Sequence, residues 1–286
     1  MKKPVLCAIV IAIAVIACDD KEAKDKQAPA TAVPDTSATD TTAASVANTP
    51  EADCDTDETV KINYEPSGRI QGIYSANWGY REMERSEIPD TSNLVGLFRE
   101  NDAYYLKPEK IVFNDNDGKE DNCGGGPVLA LMSEAKFLFL NFTDYNKDKI
   151  QAISFGKVKV EGGEIEGWKL LLLNEKFTFD FGNVQYEFEA LGEVDKERDD
   201  WIRNFSLVYS IKGSANKQMI VNIPQAEGVE FRLLFIGDLD GDGKPDIILD
   251  APKNYEHTDI MLFLSSTAKE GEYLRREAHK EAWFDC

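Results

Sequence analysis

Residues 176–190 read KFTFDFGNVQYEFEA. Phe177, Phe179 and Phe181 alternate with Lys176, Thr178 and Asp180. After Gly182-Asn183 the alternation resumes, with Val184, Tyr186 and Phe188 set against Gln185, Glu187 and Glu189. Successive side chains of a strand point to opposite faces, so this period of two gathers six apolar groups on one side and polar groups on the other. A two-residue Gly-Asn connection closes such a segment into a hairpin. Its register sets Phe181 opposite Val184, Phe179 opposite Tyr186 and Phe177 opposite Phe188. A lone hairpin is barely stable in water, so the aromatic stripe predicts a larger antiparallel β-domain in which it is core packing and not a ligand platform.

Working outward, the same alternation recurs in FSLVYSI, where Phe205, Leu207, Tyr209 and Ile211 share a face. It continues through Met219, Val221 and Ile223 beyond the KGSANK turn. LVGLFRENDAYYLKPEKIVF reads as strands interrupted at Glu100-Asn101-Asp102 and at Pro108. FLFLNF, IQAISF, WKLLLL, VEFRLLFI, DIILD and DIMLFL complete a set of roughly a dozen strands. Helix is confined to two short stretches, 195–202 and the LRREAHKEAW run at 274–283. The expected fold class is mainly β, an antiparallel sandwich or barrel-like domain. No repeat of 20–50 residues is visible, which argues against a propeller.

The amino-terminal end has a different character. Lys2 and Lys3 precede an uncharged apolar stretch at 5–17, too short for a permanent membrane helix and suited to a signal segment. Val15-Ile16-Ala17-Cys18 resembles the bacterial lipobox, in which small residues precede a cysteine that is lipidated after cleavage. The resemblance implies a signal peptide at 1–17 and an acylated Cys18 that anchors the remainder in a membrane outside the cytoplasm. Asp19 and Asp20 follow at once. An Asp in that position resembles an inner-membrane retention signal of enterobacteria, and other phyla use acidic residues there for surface export. From Lys21 to Asp53 the chain is Ala, Thr, Ser, Pro and acidic residues without an aromatic or an apolar period. Such composition cannot bury enough surface to offset ordering entropy, so 18–53 reads as the lipidated cysteine followed by a disordered tether. All 15 Phe and all 4 Trp of the 286-residue chain lie beyond residue 70, which places the globular domain at 54–286.

A net charge of −20 argues against nucleic acid and against adhesion to anionic head groups. Of five cysteines, Cys54, Cys123 and Cys286 belong to the globular part. An oxidising compartment permits one disulfide, and Cys123 with Cys286 is the favoured pair because Cys54 sits at the edge of the tether. There is no CxxC, and His257 and His279 are the only histidines, which argues against a zinc site of the Cys/His kind. His257 reads as an exposed or hydrogen-bonded imidazole and not as a catalytic base.

One loop carries candidate chemistry. Residues 231–250 read FRLLFIGDLDGDGKPDIILD, with Asp238, Asp240 and Asp242 spaced by two, Gly243 next and Asp246 closing the series. Alternate residues of a curled loop can direct carboxylates at one centre, and calcium takes six to eight hard oxygen ligands. Gly243 permits the sharp turn, and the Lys244 carbonyl is a natural backbone ligand. Four carboxylates this close repel one another, and a bound divalent cation relieves that repulsion. The loop at 238–246 resembles the first nine positions of an EF-hand loop but has Leu249 where the EF-hand has its bidentate Glu, and its flanks are strand-like. It is more similar to the calcium loops of FG-GAP and thrombospondin type 3 repeats, which implies Ca2+ held between strands. A weaker echo at Asp115, Asp117 and Asp121 has Phe113 where the first Asp belongs, and Asp144-Tyr145-Asn146-Lys147-Asp148 reads as a polar turn.

Gly96-Leu97-Phe98, Tyr104-Tyr105-Leu106, the acidic loop and Leu262-Phe263-Leu264-Ser265-Ser266 together resemble uncharacterised bacterial envelope proteins; the resemblance implies no activity. Ser133-Glu134-Ala135-Lys136 and Ser266-Thr267-Ala268-Lys269 fit SxxK, but without SDN or KTG partners they are chance matches. The expectation is a membrane-anchored, calcium-binding envelope lipoprotein with a non-enzymatic binding or structural role and an envelope protein or glycan as partner. The alternatives are a calcium-stabilised hydrolase of envelope polysaccharide or peptide, and a calcium-responsive sensor or adhesion module.

Overall fold

The computed structural model describes residues 65–81, 88, 91–115, 128–160, 163–198 and 200–283. Among them eighteen strands follow in chain order. The first nine are β1 (Gly72–Ser75), β2 (Gly79–Arg81), β3 (Leu94–Glu100), β4 (Ala103–Pro108), β5 (Val112–Asp115), β6 (Val128–Met132), β7 (Phe137–Leu140), β8 (Lys157–Val160) and β9 (Gly163–Glu166). The rest are β10 (Lys169–Leu170), β11 (Lys176–Phe181), β12 (Val184–Val194), β13 (Trp201–Ile211), β14 (Gln218–Glu227), β15 (Arg232–Gly237), β16 (Asp246–Asp250), β17 (His257–Leu264) and β18 (Arg275–Trp283). Every paired strand is antiparallel. The domain is mainly β, as its alternation requires. No helix among the described residues is long and apolar enough to cross a membrane.

The 176–190 hairpin forms in the expected register, Phe177↔Phe188, Phe179↔Tyr186 and Phe181↔Val184. Gly182 turns with φ 58°, a conformation that hairpin turns favour and side chains resist. The stripe extends onto β13 as stacked rings, Phe179 on Tyr186 and Tyr186 on Tyr209, with centroids 5.5 and 5.7 Å apart. Asn101 and Asp102 both have positive φ, so the β3–β4 turn closes with the two left-handed residues of a type I′ hairpin.

The sheets stack. β11-β12-β13-β14 form an outer sheet, and β10-β15-β16-β17-β18 form a central one. One apolar core joins them, containing Phe188, Phe205, Leu207 and Tyr209 of the outer sheet with Leu233, Ile247, Leu249, Met261 and Phe263 of the central one. The other face of the central sheet presents Phe235, Ile248, Ile260, Leu262 and Leu264 to a third sheet, β1-β7-β3-β4, through Ile73, Val95, Leu97, Phe137 and Phe139. That sheet in turn packs Leu94, Leu138 and Leu140 against Leu129 and Leu131 of the small β2-β6-β5 sheet. The central sheet is thus covered on both sides, and all eight residues of β17 are buried. Burial on two faces is why DIILD and DIMLFL are unbroken apolar runs while the outer hairpin alternates.

Three expectations are corrected. Arg275–Trp283 of the 274–283 run is strand β18, paired along β17. In the other stretch 195–198 is irregular with a bend, while Trp201 and Ile202 already belong to β13. The hydrogen-bonding edge of a buried neighbour outweighs the helix propensity of Arg, Glu, Ala and Lys. Met219 does not share a face with Val221. Val221 pairs with Leu207 and Met219 with Val208, so Ile220 is an extra residue at a bulge. Ile220 and Val221 are both buried while Met219 turns outward. IQAISF forms isolated bridges only, Ile150 to Tyr104 and Ala152 to Gly237, and WKLLLL contributes just the two residues of β10.

Candidate metal centre

The acidic loop is the connection between β15 and β16. Its entry is tight: Asp238 donates its backbone N–H to the Gln151 carbonyl at 3.0 Å. Gly241 and Gly243, both at φ 81°, then curl the chain, and the loop folds over the Asp238 carboxylate. That carboxylate accepts the Gly241 N–H at 2.7 Å and the Gly243 N–H at 3.1 Å. Asp246, the first residue of β16, is fully buried and reaches back under the loop. One of its oxygens accepts the Leu239 N–H at 2.7 Å, and the other accepts the Ser265 N–H at 2.9 Å.

Asp238, Asp240 and Asp246 each present a carboxylate oxygen to one spot, the three atoms lying within 4.8 Å of one another. Asp242 stands beside them. Its carboxylate accepts the Ser265 hydroxyl at 2.9 Å, and the same hydroxyl lies 3.2 Å from Asp246. Burial, and after it the Asp240 carboxylate, push the Asp246 carboxyl well above the ordinary carboxylate range. Asp238 is also raised, by burial first and by Asp242 and Asp240 in addition. The loop therefore holds hard oxygen donors in a place that disfavours bare negative charge, a donor set that fits a hard divalent cation. Leu249, at the position of the EF-hand's bidentate Glu, lies in the core between sheets and offers no ligand. Lys244 is at the exposed tip of the loop, its N–H donated to Asp242 at 2.8 Å.

Sequence reading missed the groups that seat these carboxylates. Arg69 donates from Nη1 to Asp240 at 2.8 Å and to Ser266 Oγ at 2.6 Å, and from Nη2 to the Asp144 carbonyl at 2.7 Å. Asn146 hydrogen-bonds through its N–H to the Leu239 carbonyl at 2.8 Å. The Asp144–Asp148 segment, read as an independent polar turn, is thus packed against the acidic loop. Ser266, of the SxxK match, spends its hydroxyl on Asp240. Arg69 lies 171 residues away from Asp240, and nothing local in the sequence signals their meeting.

Other expected site residues fall elsewhere. Cys18, Cys123, Cys286, Asp117 and Asp121 lie outside the described residues, as do residues 1–53, where a signal segment and a tether are expected. Asp115 ends β5, pairing with Leu129. His257 is buried, not exposed; its Nδ1 accepts the Lys253 N–H at 3.5 Å. Comparison of the chain with protein-family models, with curated proteins and with solved structures gives no match.

Proposed function

We propose that this chain is a lipid-anchored, calcium-binding protein of the bacterial cell envelope whose stacked β-domain has a non-enzymatic binding or structural role. The observation that carries the reading is the convergence of Asp238, Asp240 and Asp246, with Asp246 buried completely at the base of the loop. Calcium is the favoured ion because every convergent donor is a carboxylate oxygen and the loop is built on tight glycine turns. Bound there, it would neutralise the carboxylates, of which Arg69 offsets Asp240, and so brace the β15–β16 connection against β17. The lipid anchor rests on the lipobox-like Val15-Ile16-Ala17-Cys18 run.

The test is a thermal melt in EDTA and then in calcium, for wild type and for an Asp240→Ala, Asp242→Ala double variant. An ion that binds only the folded state at a hundred times its Kd adds about 2.7 kcal/mol of stability. The wild-type midpoint should rise accordingly, and the double variant should lose the rise. A wild-type melt unmoved by millimolar calcium would sink the calcium reading. Anchorage is tested separately: Cys18→Ser should move the protein from the membrane fraction to the soluble one, and unchanged fractionation would refute the anchor.

A further inference from the structure

The central sheet carries a second cluster, away from the acidic loop. β17 and β18 pair with Asp259 opposite Glu281, Met261 opposite His279 and His257 opposite Trp283. Cross-strand partners share a face, so both histidines and two carboxylates of the ladder gather there. Asp259, His279 and Glu281 each present one ligand atom, all within 4.8 Å of one another. His279 Nδ1 stands 3.5 Å from Asp259 Oδ1.

Asp259 gives this cluster its independent significance. The residue is 5 % exposed, and its Oδ1 is buried without a hydrogen bond. Its backbone N–H donates to Asp250 Oδ1 at 2.9 Å, and Asp250 in turn is paired with Arg232 at 2.6 Å. A buried carboxylate oxygen left without a donor is costly, and beside it stand the imidazole of His279 and the Glu281 carboxylate. His257 stands behind Glu281. Its Nδ1 accepts a backbone N–H, which leaves the proton on Nε2, and Nε2 lies 3.7 Å from Glu281 Oε2 with no hydrogen bond of its own. Trp283 covers the imidazole, with ring centroids 4.6 Å apart.

We propose that Asp259, His279 and Glu281 form a second metal centre, for a divalent transition ion of the zinc class, with His257 positioning Glu281. Ligands around a tetrahedral zinc lie about 3.3 Å apart, and the His279–Asp259 separation is already close to that spacing. One imidazole nitrogen and two carboxylate oxygens suit zinc, and they are too few and too mixed for calcium, which takes six to eight oxygens. The buried Asp259 forms the floor, while the side chains of His279 and Glu281 are 48 % and 40 % exposed. The ion therefore enters from solvent and keeps at least one position for water.

Cobalt(II) is the probe, titrated into the full chain with calcium present so that the acidic loop is saturated. One equivalent should bind with a visible ligand-field band, and zinc should displace it. His279→Ala should abolish the band and weaken zinc binding at least about tenfold. Met219→Ala, on the exposed face of β14 and in neither cluster, should leave both unchanged. His279 is half-exposed, so a cooperative melt is expected of its variant; Glu281→Gln provides the same readout should that melt be lost. The proposal is overturned if cobalt gives no band and zinc no binding heat, or if the band survives unchanged in the His279 and Glu281 variants.

Discussion

At the scale of single residues, the acidic loop is dominated by carboxylates that do not favour their charge. Asp246 and Asp238 titrate above their unfolded values. The metal-free folded state therefore holds protons that the unfolded chain releases. The resulting stability is fully present below the unfolded carboxylate range and is lost as pH rises through the raised folded values. Calcium takes the ionised form only, so the calcium-dependent rise in Tm should be largest near neutrality and should shrink on acidification to about pH 5. A rise that stays constant over that window would contradict the assignment of these carboxylates to the ion. Arg69 is the counterpart. The Asp240 side chain is 1 % exposed and has Arg69 as its ion-pair partner, so Arg69→Gln should cost about 2–4 kcal/mol in EDTA. Chemical denaturation with calcium should show a distinctly smaller loss, because the ion takes over the neutralisation. Equal losses with and without calcium would mean that the ion and the arginine do not share Asp240. The Asp-x-Asp-x-Asp-Gly spacing made the carboxylates legible in the sequence. Arg69, Ser265 and Ser266 were not, since contacts across 171, 19 and 26 residues leave no local period to read.

At the scale of elements, alternation was a reliable guide where one face of a strand meets water. The 176–190 hairpin pairs residue for residue as its pattern demands. Where a bulge intervenes, alternation fails, because one inserted residue reverses the side on which every later side chain falls. β14 is the example. Ile220 is 1 % exposed and Met219 47 % exposed, the reverse of the simple alternating pattern. Ile220→Ala should therefore cost about 2–4 kcal/mol and Met219→Ala less than about 1 kcal/mol, measured by denaturant midpoints at constant slope. Similar losses for the two would argue against the bulge. β18 shows the other failure: Arg, Glu, Ala and Lys read as helix in isolation, yet β17 supplies a complete ladder of backbone partners. The bulge opposite Phe263 also turns Glu277 inward, where it accepts the Ser67 hydroxyl at 2.6 Å.

At the scale of the whole molecule, stability is concentrated in the central sheet. β16 and β17 are buried on both faces and paired on both edges. Their amides open only when the layers on either side separate, so they should exchange with solvent hydrogen at the rate of global unfolding. The amides of β8 and β9, a two-stranded unit, should exchange far sooner. Hydrogen exchange read by mass spectrometry checks the order, and early exchange in β17 would mean that the layers open independently. The stack of layers was not legible in the sequence. Apolar runs in FLFL, DIILD and DIMLFL announce burial on both faces, but they do not say which sheets lie above and below.

The layering also bears on the order in which the protein can be made. The strands of the outer sheet end at Glu227 and those of the third sheet at Leu140, while the surface they share is built mainly from residues 232–283. A chain emerging from its amino end completes both flanking layers before the layer between them exists. Until β15 to β18 arrive, two sticky sheets have only each other and foreign surfaces to cover them, a state open to aggregation. Holding such a chain unfolded until residues 232–283 are delivered becomes a requirement of its biogenesis. A fragment ending at residue 230 should accordingly show no cooperative melt and should associate, whereas a cooperative, monomeric fragment would show that one layer completes itself alone.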